Sequence, residues 1–364
     1  MSNLMFTLNA VLPIIFCILI GYILKLLKIF PDSFWGTLNK LCFKIFLPLL
    51  LFKNIYDIKN IKDVGTYWKI ILFCSIIIIC FFIVGFIIVK LFVKDDKQKG
   101  VILQCIFRSN YAIIGIGLIE LLAGDNQTAK GIGAVISAVS IPLFNILAIL
   151  ALTLFVKDEN GNKIKIKDII IKICKNPLII GVLCGLIFLS IKSLIIEFGD
   201  YKYITQILTY EDGTTKTISD VLVNSNGKEV SIFLENKNCK FIYTTIKWLA
   251  QCASPCALVA LGGAFTFSAV KKLKNQIILG VSLRIIAVPA IGLTIAYLLG
   301  FDDVRYFPAL IALFGTPVAV SSVPMASEMN NDGELAGQLV VWCSLLSSIT
   351  LFVIILISSA IGAL

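Results

Sequence analysis

Long apolar runs of bilayer length alternate with short polar loops along the chain, a pattern that predicts ten membrane-spanning helices. The first five are Phe6–Ile29, Leu38–Tyr56, Trp68–Phe92, Val101–Ala123 and Ile132–Val156. The second five are Ile173–Ile196, Phe241–Phe267, Ile277–Leu299, Ala309–Met329 and Leu335–Gly362. Two runs are irregular. Gln104–Gly124, QCIFRSNYAIIGIGLIELLAG, places Asn110, Gly115 and Gly117 near its middle, and Ala309–Asn330, ALIALFGTPVAVSSVPMASEMN, carries Pro317 and Pro324. Glycine weakens a helix, proline breaks it, and an amide in hydrocarbon needs a partner. Two interrupted spans at matching places in two halves mark the binding site of a transporter.

A polar insert, Phe198–Lys240, stands between spans six and seven. Its runs Tyr201–Tyr210, Thr214–Val223 and Glu229–Leu234 are separated by the turn pairs Asp212-Gly213 and Asn226-Gly227. They predict a small β-meander, with a disordered loop as the alternative.

The two halves repeat one another. Pro13 and Gly21 of span one match Pro177 and Gly185 of span six at an offset of 164 residues. Lys40 and Pro48 of span two match Lys247 and Pro255 of span seven at 207, the difference being the 43 residues of the insert. At the same offset Gly85 falls on Gly292, Asn110 on Pro317, Ala112 on Ala319, Ser137 on Ser344 and Ser140 on Ser347. Five spans per half turn the second half upside down, so the expected fold is an all-α integral membrane protein built from two inverted five-helix repeats. Broken crossover helices four and nine meet near its midplane. Residues 1–156 form the first repeat, 157–172 a cytoplasmic loop, 173–197 with 241–364 the second repeat, and 198–240 an extracytoplasmic insert. A purely structural duplication is the alternative, but it leaves the two interruptions unexplained.

Composition agrees with the pattern: 58% of residues are hydrophobic, 15% are charged, and mean hydropathy is +0.95. The first span lacks a basic leader and an A-x-A-like cleavage site, so it is expected to be a true span. The net charge of +10 sits in lysines at the span ends rather than in a nucleic-acid-binding patch. One set of loops holds fifteen lysines and the opposite set six lysines and arginines, which predicts a multi-pass plasma-membrane protein with both termini extracytoplasmic. The eleven cysteines lie mostly inside apolar runs without a C-x-x-C pair, and there is no histidine. Histidine-dependent metal sites and triads are thereby excluded, and no disulfide framework, metal, cofactor or enzymatic activity is expected.

A helix broken at midplane exposes N–H groups that suit a carboxylate and carbonyls that suit a cation. Asn110 adds donors without a charge to desolvate, or else satisfies backbone groups freed at the break. Arg108, two residues earlier, faces another way on a helix and snorkels or pairs. Glu120 is a candidate ion-pair partner, proton site or interfacial residue. Lys44 faces either a cavity or the surface, and Arg284 water or the site. Ser137 and Ser344 are the serines expected to line the crossover, the other serines serving close packing.

The segments LNKLCFKIFLPLLLF (Leu38–Phe52), FRSNYAIIGIG (Phe107–Gly117), NPLIIGVLCG (Asn176–Gly185) and TPVAVSSVPMASE followed by VVWCSLLSSITL (Thr316–Leu351) resemble the auxin efflux carrier family. That family includes plant PIN proteins and bacterial permeases and is related to bile-acid symporters. The resemblance implies a scaffold of spans one, two, six and seven that forms a homodimer through spans two and seven, and a mobile unit of the remaining spans. It implies that Asn110 meets the substrate carboxylate and that Pro317 is the crossover proline. With their neighbours Tyr111, Gly115, Gly117, Val318 and Ala319, and with Ser137 and Ser344, these form the expected substrate site. The first crossover departs from the family in having Ile116-Gly117 where Leu-Pro is usual. The function implied is secondary transport of a small organic anion (a carboxylate, auxin- or malate-like) by an elevator-type movement. The alternative is a membrane-embedded ligand sensor using the same pocket.

Overall fold

Runs of isoleucine, leucine and phenylalanine satisfy their backbone in hydrocarbon as helices or as closed barrels, and helices are what they form here. The computed structural model describes residues 2–58, 67–156, 171, 174–209, 215–225, 230, 234, 236 and 239–364. The first half comprises α1 (Ser2–Leu26), α2 (Asp32–Tyr56), α3 (Trp68–Phe92), α4 (Asp96–Phe107), α5 (Tyr111–Leu122) and α6 (Gln127–Leu154). After α7 (Pro177–Phe198) come the strands β1 (Lys202–Thr209) and β2 (Thr215–Val223). The chain then forms α8 (Lys240–Ala264), α9 (Ser268–Lys272), α10 (Lys274–Leu298), α11 (Phe307–Gly315), α12 (Ser322–Glu328) and α13 (Gly333–Ala360). Among these, α2, α3, α6, α7, α10 and α13 are six helices long and apolar enough to cross a membrane.

The first two β-runs of the insert pair antiparallel, with a register irregularity between Gln206 and Ile207. The Asp212-Gly213 turn and most of the third run lie outside the described residues, as does nearly all of the loop predicted at 157–172.

Two helix pairs approach unusually closely, and each approach depends on glycine. A Cβ on Gly21 of α1 would overlap the Val259 carbonyl of α8, and one on Gly181 of α7 would overlap the Pro48 carbonyl of α2. Small residues allow such backbone contact where lipid provides no hydrophobic drive between helices. The same two pairs are tied by lysines. Lys25 Nζ donates to Phe265 O at 2.9 Å just past the end of α8, and Lys192 Nζ to Tyr56 O at 2.9 Å at the end of α2. Each cation sits on the negative end of a helix dipole.

Among the remaining helices α3, α4 and α6 pack together, as do α10, α11 and α13; α4 also packs on α10 and α13, and α1 packs on α13. The interior between them is aromatic and aliphatic, with Phe107, Tyr111, Phe314 and Leu310 fully buried. Large apolar side chains such as Phe16, Ile20, Ile83, Phe92, Leu183 and Ile286 point outward instead. That outward apolar belt is what a surface bathed in lipid requires.

Candidate functional site

Two of the apolar runs, those around Asn110 and Pro317, leave helical geometry midway, and the two breaks touch. α4 stops at Phe107, Arg108 takes an extended conformation (φ −87°, ψ 112°), and helix resumes at Tyr111 after Asn110 (φ −83°, ψ 45°). α11 stops at Gly315, Thr316 is extended (φ −70°, ψ 151°), and helix resumes at Ser322. Pro317 explains the second stop, because it removes an N–H and drives the preceding residue out of the α region. Between the two segments Ser109 and Val318 form an antiparallel bridge, and Asn110 N–H donates to Pro317 O at 2.8 Å. The Asn110 carbonyl then accepts from Ile114 N–H at 3.0 Å, which starts the next helix.

This geometry corrects three expectations. Gly115 and Gly117 do not make the first break, which falls before them at Arg108–Asn110; Gly115 instead leaves room for the Tyr111 ring, and Gly117 has nothing near it. Pro324 does not break the second span, because it stands in the first turn of α12, where proline is tolerated. Arg108 does not face away from Asn110, since the helical periodicity used to separate them does not apply to an extended stretch.

Arg108 and Asn110 line one small cavity together with Tyr111, Ile141, Phe144 and Asn145. Ala319, Val320 and Ser321 close it from the second break, and Leu47, Leu50, Leu51, Ala253, Ser254 and Ala257 from α2 and α8. Arg108 is 3% exposed. Its Nη2 donates to Asn145 Oδ1 and Ser321 Oγ, both at 2.8 Å, and its Nη1 to Gln104 Oε1 at 3.4 Å and towards Met325 Sδ. Asn145 is held in that orientation by its own Nδ2, which donates to Ile141 O at 2.8 Å. All these acceptors are neutral, and among the described residues no carboxylate pairs with Arg108. Beside it, Asn110 Nδ2 is buried and has no partner among the described residues. A buried guanidinium without a countercharge and an idle amide donor together favour an incoming anion.

Arg284 is completely buried, but behind the breaks rather than in the cavity. Its Nε and Nη2 donate to Thr316 O at 3.0 and 2.7 Å, Nη2 also to Leu313 O and Phe314 O at 3.3 and 3.2 Å, and Nη1 to Ile106 O at 3.2 Å. The carbonyl ends of α4 and α11 thus share one guanidinium.

The other expected residues stand elsewhere. Val318 is buried in the bridge, Pro317 is buried next to it in the chain, and Ala319 reaches the cavity. Ser344 is buried, its Oγ without a partner among the described residues, and Ser137 donates to Ala134 O at 2.7 Å in its own helix. Neither serine lines the Arg108 cavity. Lys44 is exposed in a wide, π-type turn of α2. Glu120 pairs with Lys130 at 2.8 Å, and the Glu120 side chain is 59% exposed. Among the described residues no group of three His, Cys, Asp or Glu side chains could hold a metal ion. Asn145 and Ser321 were not assigned to the site from the sequence; the signal for Ser321 was its place in the segment following Pro317.

Two further cavities flank the breaks. One, of about 240 Å³, is lined by Lys53, Asn54, Asp57, Ile116, Glu120, Lys130 and Ser137. The other, of about 320 Å³, is lined by Leu261, Ala264, Phe265, Val323, Ser327, Glu328, Glu334 and Gly337. At the 207-residue offset Asn54 corresponds to Leu261, Asp57 to Ala264, Ile116 to Val323, Glu120 to Ser327 and Lys130 to Gly337. The walls come from equivalent positions; the charges do not.

No curated protein matches the chain in sequence. A family model described as membrane transport protein matches residues 6–355, nearly the whole length. The chain that carries the paired breaks at Asn110 and Pro317 therefore belongs to this membrane transport family, the auxin efflux carrier family.

Proposed function

We propose that this protein is a secondary transporter of a small organic anion, a carboxylate in the auxin-like or malate-like range, and that Arg108 and Asn110 receive the carboxylate. The observation that carries this reading is the buried Arg108 guanidinium, bonded only to neutral acceptors and lying beside the unpartnered Asn110 amide. Leu47, Leu50, Leu51, Ile141 and Phe144 supply an apolar wall for the body of the cargo.

The movement is of the elevator type. α1, α2, α7 and α8, joined by glycine contacts and lysine caps, serve as the fixed scaffold and as the homodimer surface. The body of α3–α6 and α10–α13 moves against it and carries both breaks. The two flanking cavities, built from positions 207 residues apart, are the alternating routes to the site; this matching supports an inverted repeat, while the reading that both termini lie outside rests on the lysine bias of the loops. The insert at 198–240 lies on the outer side.

The test is uptake of labelled indole-type acids and dicarboxylates into proteoliposomes. Wild type is expected to accumulate one class, and Asn110→Ala and Arg108→Gln to lose it while remaining folded. Unchanged uptake in both variants would refute the assigned site.

A further inference from the structure

The carbonyl ends of α4 and α11 converge on a point already occupied by a positive charge. The C-terminal end of a helix carries roughly half a unit of negative charge, so two such ends amount to about one charge, which a single monovalent cation balances. In carriers with broken helices, unwound carbonyls and half-helix ends are where a coupling cation binds. Here the five contacts to Ile106, Leu313, Phe314 and Thr316 carbonyls all come from Arg284. The side chain has no solvent exposure, and a guanidinium does not deprotonate in proteins. It stands within the wide turn Leu283–Ala287, shortly before Pro289.

We propose that Arg284 is a tethered cation standing where a free coupling ion would sit, so that this carrier operates without sodium or potassium. The inference rests on the transporter reading for its consequence, but the occupancy of the cation position is tested without transport. An exchangeable ion supplies driving force because it arrives from one side and leaves on the other. A guanidinium bonded to the chain cannot leave. It holds the two helix ends together through the whole cycle and contributes no gradient.

The first arm is the melting temperature of the purified protein in sodium, potassium and choline chloride at equal ionic strength. The three are expected to coincide, and a rise of several degrees specific to sodium or potassium would overturn the proposal. The second arm uses Arg284→Ala. Its melting temperature is expected to fall, and to recover by several degrees in millimolar methylguanidinium or sodium, which leave wild type unchanged. A variant as stable as wild type, or deaf to every cation, overturns the proposal. Should that variant not be isolable, Arg284→Lys keeps the charge and is expected to fold and to remain indifferent to sodium; sodium-dependent stability there overturns the proposal. The third arm is uptake by wild type with sodium replaced by choline, expected within twofold of the sodium rate. A strict sodium requirement sinks the inference. Absence of organic-acid uptake in every salt sinks the transporter reading instead, and the melting arms still decide what Arg284 does.

Discussion

The backbone N–H of Asn110 donates to the carbonyl of Pro317 at 2.8 Å, so each break in the helical framework is partly satisfied by the other. The two residues stand 207 positions apart, the offset at which the two halves of the sequence match, and one backbone hydrogen bond joins them. The Asn110 side chain takes no part in that bond.

That separation makes Asn110→Ala a clean variant. Removing a buried donor that has no partner leaves nothing newly unsatisfied, so stability should change little. Uptake should fall by on the order of tenfold or more, the loss of one or more hydrogen bonds to a charged group. Melting curves and initial uptake rates on the same preparation check both halves of the statement.

Asn145 offers the opposite case. Its Oδ1 accepts from Arg108 at 2.8 Å, and Asn145→Leu leaves a buried guanidinium short of an acceptor. The expected loss is about 2 kcal/mol of stability. The double variant Asn145→Leu with Arg108→Gln should be more stable than Asn145→Leu alone, because an uncompensated buried charge costs more than losing both members of a pair. Denaturation of the two variants and of wild type in detergent measures the difference.

Glycines on two helices should respond oppositely. Gly181→Val forces a side chain into the Pro48 carbonyl and is expected to separate α7 from α2, at about 1–3 kcal/mol. Gly117→Ala has no neighbour within 4 Å and removes a poor helix former from α5. It should be neutral or stabilising by up to about 1 kcal/mol, with uptake unchanged. Thermal stability with uptake as control separates them; loss of transport in Gly117→Ala would restore that glycine to the site.

Ser344→Ala removes a buried hydroxyl that has no partner among the described residues. Melting temperature is expected to hold or rise slightly, and uptake to stay at the wild-type rate, since the residue does not line the Arg108 cavity.

Much of this fold is legible in the sequence. Apolar runs of bilayer length gave the long helices nearly to their ends, and Pro317 marked the second break because proline acts locally. The first break has no proline, and its position depends on Ser109 pairing with Val318, a contact across 209 residues that local propensity does not encode. Arg108 was misjudged for the same reason: a helical angle was applied where the backbone is extended. Arg284 was expected to face water or the site and does neither: its acceptors are main-chain carbonyls, which carry no side-chain signature in a sequence.

The Arg108 cavity has only about 40 Å³ of free room, enough for a water molecule or two but not for an organic acid. Its walls must part before cargo can enter. Association is then paced by how often the fold breathes open, and the observed binding rate should level off as ligand is raised instead of climbing in proportion.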